Sequence, residues 1–324
     1  MRIGVLGAAR ITPKSLLEPA GQVEGVEVAA VAARDVARAE AFAAEHGIPT
    51  VHPSYRALVE DGSLDAVYVA LPASLHAEWS IAAVEAGRHV LCEKPFAANA
   101  AEAREMVAAA ERADRRLVEA FHWRFHPVAA RVVELAREIG PLEHGEGHFD
   151  AAIPPSDIRY VRGLGGGATM DLGCYPIHWV RTVTGEEPEV VRAEATEGPP
   201  GIDVTMEAEL VFASGLDAVI RCSMAAGSAS LPDAAFLDLH GRNGTLHVLN
   251  PMAPQFGHRI EATLADGRQV HETIEAGTSY LHQLRSFVRV LAGEEEPITG
   301  GADAIANMAT IDAIYTAAGL GPRP

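Results

Sequence analysis

The sequence predicts a chain in two parts: an α/β part on a doubly wound parallel sheet, then an α+β part on an open, mainly antiparallel sheet. Three observations carry that expectation. Up to about residue 120, short apolar runs alternate with alanine-rich segments whose apolar residues recur at helical spacing, as in a parallel sheet covered on both faces. Beyond the next helix the runs alternate apolar and polar positions, as half-buried antiparallel strands do. At 324 residues the chain is too long for one ordinary core and suits two.

Taken in order, "RIGVLG", "VEVAAVAAR", "DAVYVALP", "RHVLCE" and "RRLVEAF" read as strands of the first part. Between them "DVARAEAFAAEHG", "SLHAEWSIAAVEAG" and "NAAEAREMVAAAERA" read as helices, the first two stopped by Gly47 and Gly87. "PVAARVVELAREIG" is a linking helix. "HGEGHFDAAI", "PEVVRAEATE", "DVTMEAELVFASG", "DAVIRCSMAA", "AFLDLHGRNGTLHVLN", "HRIEATLADG" and "RQVHETIEA" follow as strands, with turn signals at "ASG", "GRNG" and "ADG". Helices return in "SYLHQLRSFVRVLAG" and "GADAIANMATIDAIYTAAG". The expected division is 1–121 and 122–324, with the last helix packing back on the first domain.

Composition excludes several classes of function. A net charge of −18 argues against nucleic acid or an anionic membrane as the main partner, so an anionic ligand needs a local cluster of cations. Three widely spaced cysteines (Cys92, Cys174, Cys222) suit a reducing compartment and no disulfide framework. The chain opens directly on a strand, and no apolar run approaches a membrane span, so a soluble cytoplasmic protein is expected.

"GVLGAARIT" follows the first strand and opens a helix. A dinucleotide fingerprint places glycines there for a tight turn, close pyrophosphate approach and helix packing. Here the pattern is degenerate, with Gly7, then Ala9, then Thr12. Strand–glycine–helix turns occur in many α/β proteins, but this one heads an alternating βα pattern. Past the second strand come Arg34, Asp35 and Arg38. Two guanidiniums one helical turn apart suit a 2′-phosphate and favour NADP. Asp35 is either a helix cap or a ribose ligand, which leaves NAD open.

"GRHVLCEKPFAANAAEA" sets Glu93, Lys94 and Pro95 at the carboxyl end of an apolar strand, where open α/β sheets bind ligands. A lysine there can polarise a substrate oxygen or lower a neighbour's pKa. A salt-bridged surface turn is the bland alternative. Pro95 restricts Lys94 and is a candidate for a cis bond.

These residues resemble the glucose–fructose oxidoreductase/inositol dehydrogenase/rhizopine catabolism (Gfo/Idh/MocA) family over essentially the whole chain. The resemblance implies a Rossmann domain, a catalytic or substrate-binding Lys94 and a cis Lys94–Pro95 bond. "VALPASLHAEW" resembles the family's segment beside the nicotinamide, which puts Leu71, Pro72 and His76 there; Ala73 stands where asparagine is usual. In "GLGGGATMDLGCYPIHW", Asp171-x-x-x-Tyr175 resembles the branch of dimeric dihydrodiol dehydrogenase, NADP-dependent xylose dehydrogenase and glucose–fructose oxidoreductase. There the tyrosine is the acid/base, and an ammonium such as Lys94 favours its phenolate. "EAFHWRFHP" matches the same branch and adds Arg124 and His126, with His178, as substrate contacts. Arg10 and Ile11, beside Glu93, complete the implied cofactor set. His122 and His126 lack a third ligand of suitable spacing, so no metal is expected.

The resemblance implies an NADP-dependent oxidoreductase moving a hydride between nicotinamide and a secondary alcohol of a sugar, polyol or vicinal diol. A nicotinamide-dependent glycosidase or lyase and a non-catalytic dinucleotide sensor are the rivals. A homodimer or homotetramer built across the second sheet is expected, because apolar residues alternating along its strands leave a face to cover.

Overall fold

The computed structural model describes every residue except 226, 228 and 229. The chain divides into two compact units, Met1–His122 with Tyr280–Ile305, and Trp123–Ser279 with Ala306–Pro324.

The first unit is built on six parallel strands: β1 (Arg2–Leu6), β2 (Glu27–Ala32), β3 (Thr50–Val51), β4 (Ala66–Val69), β5 (His89–Cys92) and β6 (Leu117–Glu119). Mostly apolar side chains fill both faces of β4 and β5, whose central residues are buried, as a sheet between two helix layers requires. The helices start where the sequence provides caps. Asp35 accepts from the Ala37 amide at 3.0 Å, and Asn99 from that of Glu102 at 3.0 Å. Glu102 returns a bond to the Ala98 amide at 3.0 Å, nearly closing a capping box. Gly47 ends the first of these helices at φ 69°.

Strand order is β3-β2-β1-β4-β5-β6, so the winding reverses between β1 and β4. The loops after those strands leave in opposite directions and open a crevice at their carboxyl ends. Gly7, Leu71 and Lys94 therefore share one end of the sheet. Two elements escape the sequence pattern, β3 and the helix Tyr55–Val59, because two strand residues show no period and five helical ones barely a turn. "RRLVEAF" contracts to three strand residues.

The second unit holds an eight-stranded sheet: β7 (Leu142–Asp150), β8 (Glu189–Glu197), β9 (Asp203–Val211), β10 (Asp217–Ser223), β11 (Ala235–Gly241), β12 (Gly244–Leu249), β13 (Arg259–Thr263) and β14 (Gln269–Glu272). Their order is β14-β13-β12-β11-β7-β10-β9-β8. The expected antiparallel run holds except at β7–β10, which pair in parallel. β7 comes first in sequence but lies in the middle of the sheet, and the long connection after it returns the β8–β9–β10 meander in that direction. The strand expected through Ala226 ends at Ser223, and residue 226 itself lies outside the described residues.

The face carrying Met206, Ile220, Leu239 and Val248 is buried, and the helices Pro127–Glu138 and Cys174–Thr184 lie against this sheet. The expectation of an apolar face left to cover is thus corrected. The other face is charged: Arg221 bridges Glu207 at 2.8 Å and Glu146 at 3.1 Å, and His148 stacks on Phe236 at 5.0 Å. The alternation was read correctly, but the helices from this unit already use the apolar side.

Arg131, on the helix Pro127–Glu138, holds Glu272 of β14 through two bonds of 2.8 Å. That bond and the guanidinium charge pull the Glu272 carboxyl below its ordinary 4.5. A depressed carboxylate contributes stability above its unfolded value and loses it as pH falls through the folded one. Glu272→Gln should cost about 0.5–1 kcal/mol at neutral pH, after allowance for its partial exposure. Urea titrations of both proteins should show the difference shrinking below about pH 4; a gap independent of pH would contradict the assignment.

Candidate active site

Gly7 ends β1 in a conformation only glycine adopts freely, φ +99°, and its amide donates to the Ala32 carbonyl at 2.8 Å. A Cβ there would lie 2.4 Å from the Ala70 carbonyl at the end of β4. The glycine therefore lets the loop close on the switch point. Ala9 accepts from Thr12 at 3.1 Å to shape the turn, and Arg10 and Ile11 are exposed on it.

Arg34 is not on the helix, which begins at Val36 after Asp35 as cap, so the shared helical face expected for Arg34 and Arg38 does not exist. The Arg38 guanidinium donates to the Ala8 carbonyl at 3.2 Å, which sets it beside the glycine loop. The Arg34 amide is pinned by the Tyr55 hydroxyl at 3.1 Å, and its side chain is exposed. Neither guanidinium has a carboxylate partner among the described residues. Two exposed cations, one of them held against the glycine loop, thus stand in a strongly acidic chain. The glycine cradle and this pair fit a phosphorylated dinucleotide.

Glu93 and Lys94 follow β5, and the Lys94–Pro95 bond is cis. The Glu93 carboxylate accepts from the Tyr68 hydroxyl and, at 3.2 Å, from the Lys94 amide. Tyr68, fully buried on β4, also meets the Ser15 hydroxyl at 2.7 Å. Burial first, and the Glu93 charge second, raise the Tyr68 phenol well above its ordinary value, so it stays a hydrogen-bond donor. This chain joins the helix after the glycine loop to the lysine turn. Tyr280 also feels the Glu93 charge, and its ring lies 4.2 Å from that of His122.

His76 is buried, with Nε2 2.8 Å from the Leu71 carbonyl and Nδ1 2.9 Å from that of Pro95. Desolvation lowers its pKa. It is a strut between the Leu71–Pro72 loop and the proline turn.

In the second unit the glycine-rich turn leads into a π-helical turn, Thr169–Gly173, and then the helix Cys174–Thr184. Such turns recur at functional sites. Asp171 lies on the first and Tyr175 on the second. The Arg159 guanidinium donates to Asp171 at 2.5 Å and to Asp157 at 3.0 Å. The Asp171 charge raises the Arg159 pKa. Tyr175 is almost buried, its ring edge-on to Phe149 at 5.7 Å and tilted to Trp179 at 6.4 Å.

The histidines have structural partners. His178 Nδ1 accepts from the Trp123 indole at 3.1 Å. His126 caps the helix Pro127–Glu138 through the Val128 amide at 3.2 Å, with Nε2 3.3 Å from the Gly277 carbonyl. Arg124 is half-buried on the short 3₁₀ turn His122–Phe125. Sequence reasoning missed Tyr68, Ser15 and Arg159. Only Tyr68 left a signal: a hydroxyl inside "AVYVAL" needs a buried partner.

Residues 1–121 match the family model described as oxidoreductase family, NAD-binding Rossmann fold, and residues 128–247 the one described as GFO/IDH/MocA C-terminal domain. The chain is 38% identical to D-xylose 1-dehydrogenase (NADP(+)) 2 of Haloferax volcanii, over 99% of this chain and 98% of that protein. It is 36% identical to the trans-1,2-dihydrobenzene-1,2-diol dehydrogenase of Danio rerio, over 68% of this chain and 66% of the relative. A 3-ketoreductase from Actinomadura kijaniata, solved in complex with NADP and TDP-benzene, superposes with a TM-score of 0.88 at 28% identity, over 98% and 97% of the two chains.

Gly7→Ala should force the loop off the Ala70 carbonyl. The expected cost is roughly 1–3 kcal/mol, read from urea unfolding. A variant as stable as its parent would mean that the close approach is dispensable.

Proposed function

We propose, for a chain that belongs to the Gfo/Idh/MocA family of oxidoreductases, that it is an NADP-dependent enzyme transferring a hydride between nicotinamide and a secondary alcohol or carbonyl of a sugar, polyol or vicinal diol. The observation that carries the cofactor part is the Arg38 bond to the Ala8 carbonyl, which puts an uncompensated cation at the glycine loop. Relatives that are an NADP(+)-linked xylose dehydrogenase and a diol dehydrogenase support the substrate class.

Residues 1–121 would hold the dinucleotide. Gly7, Ala9, Arg10 and Ile11 form its loop, Arg34 and Arg38 take the 2′-phosphate, and Leu71, Pro72 and Glu93 belong to the same end of the sheet. When bound, the cofactor supplies the hydride acceptor or donor. Residues 122–324 would hold the substrate, with Arg124 among its contacts.

The proton chemistry falls to this chain's own side chains. Tyr175 is the acid/base: its phenolate oxygen takes the hydroxyl proton as the alcohol is oxidised and returns it on reduction. The Lys94 ammonium holds the reacting oxygen and favours the phenolate. Asp171, ion-paired with Arg159, orients rather than abstracts. His76, His126 and His178 would act through the backbone and side chains they brace.

Association into a dimer or tetramer would use the charged outer face of the eight-stranded sheet, so it should weaken with salt. A light-scattering mass that stays that of one chain at micromolar concentration and low salt would overturn this.

The direct test of the reaction screens sugars and diols while following NADPH absorbance. Net NADPH is expected with NADP, and much less NADH with NAD. Neutral replacements of both Arg34 and Arg38 should weaken NADP binding at least tenfold and spare NAD, about 1.4 kcal/mol or more. Equal titration curves for the two cofactors in the unmodified protein would contradict the phosphate assignment.

A further inference from the structure

Asp203 and Arg323 are both fully buried in the second unit, and nothing in the proposed chemistry uses them. Arg323 places its guanidinium 3.8 Å from the centre of the Tyr315 ring. It donates from Nη2 to Asp203 at 2.5 Å, from Nε to the Gly166 carbonyl at 2.8 Å, and from Nη1 to the Gly201 carbonyl at 2.8 Å. Tyr315 donates to the same Asp203 oxygen at 2.9 Å. The other Asp203 oxygen takes both the amide and the hydroxyl of Thr169, each at 2.7 Å.

A buried ion pair is weak evidence of net stabilisation, since apolar residues of similar volume often serve as well. What this one has and an apolar cluster lacks is direction. Its bonds end on Gly166 and Thr169, which bracket Gly167 and Ala168. At Gly167 φ is +134° and a Cβ would lie 2.1 Å from the Asp203 carboxylate and 2.6 Å from Arg323 and Tyr315. The backbone is thus drawn against the ion pair two residues before the π-helical turn that carries Asp171 and leads to Tyr175. From the other side, Arg159 accepts the Gly167 amide on its carbonyl at 2.9 Å and holds Asp171 with its guanidinium. Two arginines thus hold the backbone that leads into the turn.

We propose that Asp203 and Arg323 are positioning residues for the proton-transfer step: they fix the entry of the helix that presents Tyr175. The inference rests on Tyr175 being the acid/base. It accounts for a charge pair kept in an apolar interior, and for three successive glycines where a helix is about to start.

The test uses the full chain with Arg323→Ala, Tyr315→Phe and, as a control, Arg131→Ala, which breaks an ion pair on another helix. Hydrogen exchange followed by mass spectrometry should show at least tenfold faster exchange in residues 165–175 of Arg323→Ala, with residues 1–122 unchanged. Tyr315→Phe removes one donor and should show a smaller effect at the same place, which keeps the test alive if Arg323→Ala does not fold. With the best substrate from the sugar and diol screen, Arg323→Ala should lose kcat at least tenfold while KM and NADP affinity stay within about twofold. Arg131→Ala should keep kcat. Exchange that rises evenly through the chain, or a normal kcat with a loosened turn, would overturn the proposal. Tyr175→Phe separates the two readings: if it turns over normally the acid/base assignment fails, whereas a crippled Tyr175→Phe beside a normal Arg323→Ala sinks only the positioning role.

Discussion

Tyr68 puts a hydroxyl into the largely apolar interior of the parallel sheet. An unpartnered hydroxyl there would cost a few kcal/mol. Two partners satisfy it, Ser15 on the helix after the glycine loop and Glu93 beside the lysine. Because β1, β4 and β5 are neighbours in register, this one phenol ties together the three strand ends that make the proposed cofactor site. Glu93 thereby finds its use. A carboxylate at the end of an apolar strand is tolerable when a phenol and a backbone amide hold it, and holding it fixes the turn on which Lys94 sits.

The second unit solves the same problem with charge. Its sheet presents one apolar face to its own helices, and the polar groups left near the glycine-rich turn are gathered by Arg159 and Arg323. In both units the residues proposed to do chemistry stand at the ends of elements, while buried hydrogen bonds behind them absorb the conformational freedom. Precision of this kind comes from the supporting layer as much as from the reacting groups.

Much of this was legible in the sequence. The switch in texture gave both sheets, and Asp35 stood out as a cap candidate at the start of its helix. Lys94-Pro95 and Asp171-x-x-x-Tyr175 were legible as motifs, since short spacing survives in one dimension. The Arg34–Arg38 relation was misjudged because Asp35 breaks the backbone geometry that helical spacing assumes. Arg159 and Arg323 were invisible, for their partners lie 12 and 120 residues away and an arginine in an acidic chain has no sequence mark of burial. The parallel β7–β10 pair was hidden likewise, being a consequence of chain routing rather than of strand pattern.

The central claim is that Tyr175 moves the proton with Lys94 as its electrostatic partner. The most direct measurement is a double-mutant cycle on turnover with Tyr175→Phe, Lys94→Ala and both together, with cofactor affinity followed separately. The account predicts losses of about 10²–10⁴-fold for each single change, a double loss far below their product, and intact NADP binding for Tyr175→Phe. A Tyr175→Phe enzyme with normal turnover, or strictly multiplicative losses, would contradict it.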